Sequence, residues 1–456
     1  MSAKSKISPA FKAIFARSGP NDKRDAIVIH KTEGVHVRER LRALTSNQRS
    51  EYVKTRAVEQ KPIQEKLLQG YQRAAVKHLS GKQTLVGSTI GVSALPVVTV
   101  EVTPDTLSAL AEQPDVVAIL PNQKIRLFHP KQVSYTGPNR QEAEDGLTWG
   151  LKQLNIPKLW KITRGKDITV AVLDTGVHGE HPALKGRVKD FVVIDPLHRR
   201  ITTKPTFDSA EHGTHVCGTI AGGKTSDGVA IGVAPKANLL VAGIIESQLT
   251  LLTLLEGISW ATDKGADVIN MSIGFSYYEP FFDEVFSNLI VDYDILPVVA
   301  IGNEYHGNSS SPGNAPNALA VGAVEKMPRN KIEVASFSSG ASIVLLDQQP
   351  QALVTKPDVV APGVQIFSCI PSEQRPNGAY EHTYAYMHGT SMATPHIAGV
   401  AALLMSAINK AAAFEIFTVL KETAKHPRGK ERRPDNRWGY GMIRPVEALE
   451  QLKKLY

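Results

Sequence analysis

Gly389-Thr390-Ser391-Met392-Ala393-Thr394-Pro395-His396 leads straight into the apolar run Ile397-Ala398-Gly399-Val400-Ala401-Ala402-Leu403-Leu404-Met405. The run has the length of a buried helix, read as 391–410, and it sets Ser391 at the helix mouth. Gly389 lets another backbone come close there. The same device recurs in His212-Gly213-Thr214-His215-Val216-Cys217-Gly218-Thr219, where His212 opens a helix beside a glycine. Upstream, Val170-Ala171-Val172-Leu173 is a continuous apolar strand ending in Asp174-Thr175-Gly176. Strands are expected at 168–173, 239–243, 268–272, 296–300 and 318–324, with helical stretches such as 250–264 between them. Continuous apolar strands alternating with helices predict an α/β fold whose parallel sheet is covered on both faces. In such sheets reactive residues gather at the carboxyl ends of strands, and Asp174 stands at one.

At 456 residues the chain exceeds a single core of typical size, so more than one domain is expected. Hydrophobic residues at 42% and charged residues at 21% are those of an ordinary globular protein. The apolar runs fall short of the roughly 20 residues a membrane span needs, so no membrane partner is expected. A formal charge of +8 raises nucleic acid as a partner. Against it, Lys and Arg are interspersed with acids and no nucleic-acid-binding motif accompanies them, so none is expected.

In residues 1–24, Lys4, Lys6, Lys12, Arg17, Lys23 and Arg24 face only Asp22, and the stretch reads as a basic, disordered tail. It lacks the apolar core of a secretory signal, and Cys217 and Cys369 are too few for a disulfide framework. Both points favour a reducing, cytoplasmic location. Residues 25–127 read as a small α+β domain: strands at 26–29, 95–102 and 116–120, helical spacing over 35–79, and a helix at 106–112 capped by Thr103-Pro104-Asp105. Residues 128–146, with Pro130 and Gly137-Pro138-Asn139, have linker composition, and residues 147–456 form the larger domain.

The order Asp174, His212, Ser391, each in its glycine-bearing motif, resembles the subtilisin-like serine proteases from about Trp149 to about Leu449; the order itself is subtilisin's. A lone serine is a weak nucleophile, so an imidazole must take its proton and a buried carboxylate must fix that imidazole's tautomer. The resemblance implies Ser391 as nucleophile, His212 as base and Asp174 as its orienter. It also implies Asn303, in Ala300-Ile301-Gly302-Asn303-Glu304, as the oxyanion donor. Substrate is implied to lie extended between two strand edges, Ser272-Ile273-Gly274 and residues 244–247. The primary pocket is implied to be lined by Ser272, Ile273, Gly274, Ala300, Ile301 and Gly302. None is charged, so an apolar or aromatic residue is expected before the cut.

The function so implied is a serine endopeptidase acting on protein or peptide substrates without a cofactor. Residues 98–127 are similar to the inhibitory propeptides of the family, which implies an intramolecular inhibitor laying residues 124–129 in the cleft. Cleavage is expected between residues 127 and 145, although Pro130 makes a poor residue after a scissile bond. The competing reading is a catalytically silent relative acting as a regulatory binding module; degenerate catalytic positions would mark it, and all four are present. Zinc is a weak reading of His212 and His215, which are spaced i, i+3 without a third ligand. Calcium is not assigned either: Ala183 stands where relatives carry an Asp ligand, and the loop at 222–228 holds Lys224 and a single carboxylate. Cys217, five residues after His212, reads as a buried, inert thiol.

Overall fold

The computed structural model describes residues 6–16, 19, 22–30, 48, 51–52, 55, 88–89, 97–197, 199–244, 250–345, 352–374, 380–381 and 383–456. The helical spacing read at 35–79 lies almost wholly outside them, as do residues 245–247 of the second substrate edge.

The N-terminal part is built from α1 (Ala10–Phe15), β1 (Arg24–His30), β2 (Val97–Val102), α2 (Pro104–Ala111) and β3 (Val116–Pro121). Its antiparallel sheet runs in the order Ser88–Thr89, β2, β1, β3. Thr103 caps α2 reciprocally: its Oγ1 accepts from Thr106 N, while Thr106 Oγ1 accepts from Thr103 N. Alternation along β1 assigns its two faces. Ala26 and Val28 pack with Phe11, Leu107 and Leu110 of the part's own helices. Ile27 and Ile29 join the core of the larger part, beside Leu251, Leu255 and Phe281. Both faces are therefore covered, which is why β1 reads as a continuous apolar run.

One expectation is corrected. The stretch read as a disordered tail contains α1, with Phe11 only 2% exposed and Ile7 bridged to Ile119 of β3. The positive charge misled: Lys12 stays exposed while Phe11 turns inward and Ile14 and Phe15 are half-buried.

The chain then runs through β4 (Arg126–Leu127), β5 (Gln132–Ser134) and α3 (Arg140–Asp145) into the larger part. There β6 (Thr169–Asp174), β7 (Val188–Ile194), α4 (His212–Ala221), β8 (Asn238–Ile244), α5 (Leu251–Asp263), β9 (Val268–Met271) and β10 (Ile273–Gly274) follow in turn. They are succeeded by α6 (Phe281–Val291), β11 (Leu296–Ala300), β12 (Leu319–Lys326), β13 (Ile332–Val334), β14 (Val359–Pro362), β15 (Ile366–Cys369), β16 (Tyr384–His388) and α7 (Thr390–Ala407). The sheet order is β13-β12-β11-β9-β6-β8-β7, with Arg200–Ile201 at the far edge and β14 also paired to β12. Pairings are parallel throughout except for β13 and Arg200–Ile201 at the ends. The expected α/β fold with a parallel sheet between helices is therefore present. Helix α7 and its neighbours cover one face; α5 and α6 cover the other and carry the N-terminal part. The carboxyl ends of β6, β9 and β11 thus open onto the groove that the chain crosses between β4 and β5.

Candidate active site

Two glycines bring the acid and the base together. Gly176, in the turn after β6, has φ +126°, and a Cβ there would stand 2.2 Å from Phe207 O. A Cβ on Gly213 would stand 2.1 Å from Gly176 O. Only paired glycines allow α4 to begin against that turn, and the contact sets His212 over the end of β6. His212 Nδ1 donates to Asp174 Oδ1 at 2.7 Å, with the two residues 3% and 1% exposed. Asp174 Oδ1 also accepts from Thr175 N at 2.8 Å, so the carboxylate is held from two sides. This contact fixes the imidazole's tautomer and leaves Nε2 as the basic atom.

Asp208, which the sequence reading passed over, ties this pair down. It accepts from Thr175 Oγ1 at 2.6 Å, Thr214 N at 2.7 Å and Thr214 Oγ1 at 2.6 Å. It therefore satisfies a first-turn N–H of α4 with a carboxylate, as a helix N-terminus favours. Burial nevertheless raises its carboxyl to about 6. Its signal was an Asp four positions before His212, too ordinary to notice alone.

Ser391 lies in the first turn of α7, fully buried, and its Oγ donates to Phe128 O at 2.9 Å. Asn303 follows β11 and Gly302, whose φ is +110°. Asn303 Oδ1 accepts from both N and Oγ1 of Thr390, each at 2.9 Å. A backbone N–H can only donate, so the other end of the amide is Nδ2, and it donates to His129 O at 3.0 Å. Thr390 thus aims Asn303, a role the sequence reading missed because Thr390 merely flanks the serine.

Of the expected pocket residues, Ser272, Ile273 and Gly274 form the edge on which β4 lies. Ile273 pairs with Leu127 and Gly274 with Arg126, and Phe128 N donates to Ser272 O at 3.0 Å. Gly274 has no room for a side chain: a Cβ would stand 2.9 Å from Phe128 Cζ and 2.0 Å from Ser311 O. Ala300, Ile301 and Gly302 are buried behind this edge. A cleft of about 230 Å³ stays open beside the segment, and Phe275, Glu304 and Ser310 join Asn303 in lining it. Ile244 ends β8, while the described part of the opposite rim is the bridge between Lys124 and Thr250.

The other motif residues are structural. His215 Nε2 donates to Ile366 O and Ala385 O at 3.0 and 3.2 Å, and burial pulls this ring down to about 3, so it stays neutral. His396 donates to Met392 O and sits where a side chain on Gly150 would collide with it. Cys217 and Cys369 are buried and unpaired, and desolvation holds the Cys217 thiol well above its usual range. Among the described residues no three His, Cys, Asp or Glu side chains converge as a metal site would require.

Residues 165–441 match the model of the subtilase family. Fervidolysin of Fervidobacterium pennivorans is 31% identical over 356 residues, 73% of this chain and 48% of that protein. Subtilisin E of Bacillus subtilis (strain 168) is 36% identical over 273 residues, 58% of this chain and 62% of that protein. An intracellular serine protease of Paenibacillus polymyxa is 32% identical over 293 residues, 62% of this chain and 79% of that protein. The crystal structure of fervidolysin, described as a keratinolytic enzyme related to subtilisin, is similar with a TM-score of 0.66 at 25% identity, covering 95% of this chain and 62% of that one. The chain spans about half the length of fervidolysin and less than two thirds of subtilisin E.

Proposed function

The chain belongs to the subtilase family, and from that premise we propose that it is a serine endopeptidase held inactive by its own N-terminal part. The observation that carries this is the convergence of His212 on Asp174 together with Ser391 and Asn303 on two successive carbonyls of one bound strand. Ser391 Oγ attacks the carbonyl carbon and passes its proton to His212 Nε2. Asp174 stabilises the imidazolium through Nδ1. Asn303 Nδ2 and the N-terminal end of α7 receive the oxyanion. Collapse expels the amine, which takes the proton from His212, and water then hydrolyses the ester on Ser391 by the same steps in reverse order.

The occupant of the cleft suggests the substrate class. Ile125, Leu127 and Phe128 are 4–6% exposed, whereas Arg126 faces solvent. An extended peptide with an aromatic residue before the cut and aliphatic residues two and four positions before the cut fits the same edge. Phe128 against Gly274 supports the aromatic preference. No helix among the described residues is long and apolar enough to cross a membrane. The two buried, unpaired thiols favour a reducing, cytoplasmic setting.

The test uses the full chain before and after limited digestion, assayed on a chromogenic peptide ending in Ile-Arg-Leu-Phe. Activity that appears on digestion and is absent from Ser391→Ala is expected. Equal activity in Ser391→Ala would overturn Ser391 as the nucleophile, and no activity in any digest would leave the fold as a binding module.

A further inference from the structure

Residues 122–134 cross the groove clamped at both ends. Upstream, β4 pairs with β10 and ends with Phe128 N donating to Ser272 O at 3.0 Å. Downstream, Lys131 N donates to His388 O at 2.8 Å, and β5 continues antiparallel along β16, with Gln132 opposite His388 and Ser134 opposite Tyr386. Beyond β5 the chain is pinned again, because Glu142 accepts from Trp149 N at 2.8 Å, from Asn139 Nδ2 at 2.9 Å and from the Tyr386 hydroxyl. Neither end can slide along its edge strand without breaking these pairings.

Between the clamps, the two groups that must act on one carbonyl hold different ones. Hydrolysis requires a single C=O with its carbon facing the nucleophile and its oxygen facing the oxyanion donor. Here Ser391 Oγ donates its hydrogen to the oxygen of Phe128 at 2.9 Å, while Asn303 Nδ2 holds the oxygen of His129 at 3.0 Å. Phe128 presents itself to the serine without the donor. His129 has the donor, but the bond after it leads to the ring nitrogen of Pro130.

Resting on the endopeptidase reading above, we propose that residues 128–130 contain one residue too many for the groove, and that this slip of register keeps the chain intact across its own active site. The excess is one residue, up to about 3.5 Å of extended backbone, taken up as a bulge over Ser391. The inhibitor is thus a substrate in sequence but out of step in geometry. Shortening the bulge by one residue would let a single carbonyl, that of Phe128, meet both groups. Ser391 Oγ would then form an ester with Phe128, the bond to His129 N would break, that nitrogen would take the proton from His212, and water would release Phe128 as a new C-terminus.

The test compares three full-length chains by intact mass during incubation at neutral pH: wild type, the chain with Pro130 deleted, and Pro130→Ala. Wild type is expected to stay whole between residues 122 and 134. The deletion is expected to be cut between Phe128 and His129 at least about 100-fold faster, the scale of regaining one oxyanion donor, and not at all when combined with Ser391→Ala. Pro130→Ala keeps the length and is expected to stay whole, which supports the proposal even if the deletion variant fails to fold. Rapid cutting of Pro130→Ala, or of wild type, at either bond flanking His129 would overturn it, since proline chemistry or no barrier would then be the explanation. A folded deletion variant that stays whole, while its Ser391 reacts with a fluorophosphonate after limited digestion, would also overturn it. Failure of Ser391 to react in every digest would instead defeat the endopeptidase reading.

Discussion

Asn303 owes its direction to Thr390, whose N–H and hydroxyl both bind Oδ1 and leave only the amide nitrogen for the groove. Asn303→Ala should lower kcat by about 10²–10³ with KM nearly unchanged, because the lost donor acts on charge that exists only in the transition state; the figure comes from a subtilisin. Steady-state kinetics on the digested enzyme check this, and a matching rise in KM would argue that Asn303 binds ground-state substrate. Elsewhere Lys356, 1% exposed, lies in a cradle of oxygens: Asp358 Oδ2 at 2.7 Å, Ala318 O at 2.9 Å and Pro316 O at 3.3 Å. Burial lowers its ammonium, and Asp358 counters that. Lys356→Met strands these acceptors, and a loss of about 3 kcal/mol is expected in denaturant unfolding; a change below about 1 kcal/mol would show that Lys421, 3.1 Å from the same carboxylate, suffices alone. Asp174, His212 and Ser391 were legible because each is followed or preceded by glycines that serve close approach. Asp208 and Thr390 were not, since their work is done through hydrogen bonds that no short motif announces.

The strands of the larger part were legible as elements for a plain physical reason. Buried on both faces, they are nearly continuous apolar runs, and Leu296–Ala300 has the bounds expected of it. Other ends moved by a residue or two, as with Asp174, which completes β6 rather than following it. What the sequence concealed was the short pairing. Arg126–Leu127 and Ile273–Gly274 are two-residue strands whose register depends wholly on what lies opposite. Helix α1 was concealed for another reason: it is six residues long, with one fully inward aromatic amid positive charge. Phe11→Ala should therefore destabilise the N-terminal part by about 3–5 kcal/mol, read from hydrogen exchange of β1 and β3. Unchanged protection there would mean that α1 only rests on the sheet.

Across the whole molecule, the two parts share a core on one face of β1 and a polar contact at its edge. Ser8 Oγ donates to Glu279 at 2.6 Å, with the carboxylate 2% exposed. Burial there raises Glu279 to about 7, from an ordinary 4.5, and neighbouring Asp283 adds to the effect. The Ser8 hydroxyl opposes that rise, but undocking that uncovers Glu279 would return its carboxyl towards the ordinary 4.5, so the docked form holds a proton that the separated form releases. Docking is strongest below that value, weakens by up to about tenfold per pH unit as pH rises towards 7, and levels off above it. Exogenous nicking of residues 122–134 should therefore run opposite to this curve, slowest where docking is strongest and rising towards pH 7, and Glu279→Gln should make that rise shallower. Asp283, itself raised to about 6 by burial, titrates in the same window and remains in both proteins, so part of the pH dependence is expected to persist in Glu279→Gln. A wild-type curve that is flat from pH 5 to 8 would contradict the argument. The central claim, that Ser391 is an activated nucleophile covered by the chain's own strand, is tested most directly by fluorophosphonate labelling with the adduct located by peptide mass. Labelling of Ser391 alone, slow in the intact chain, fast after limited digestion and lost in His212→Ala, is the predicted result. A rate that is the same before and after digestion, or an adduct that forms without His212, would contradict it.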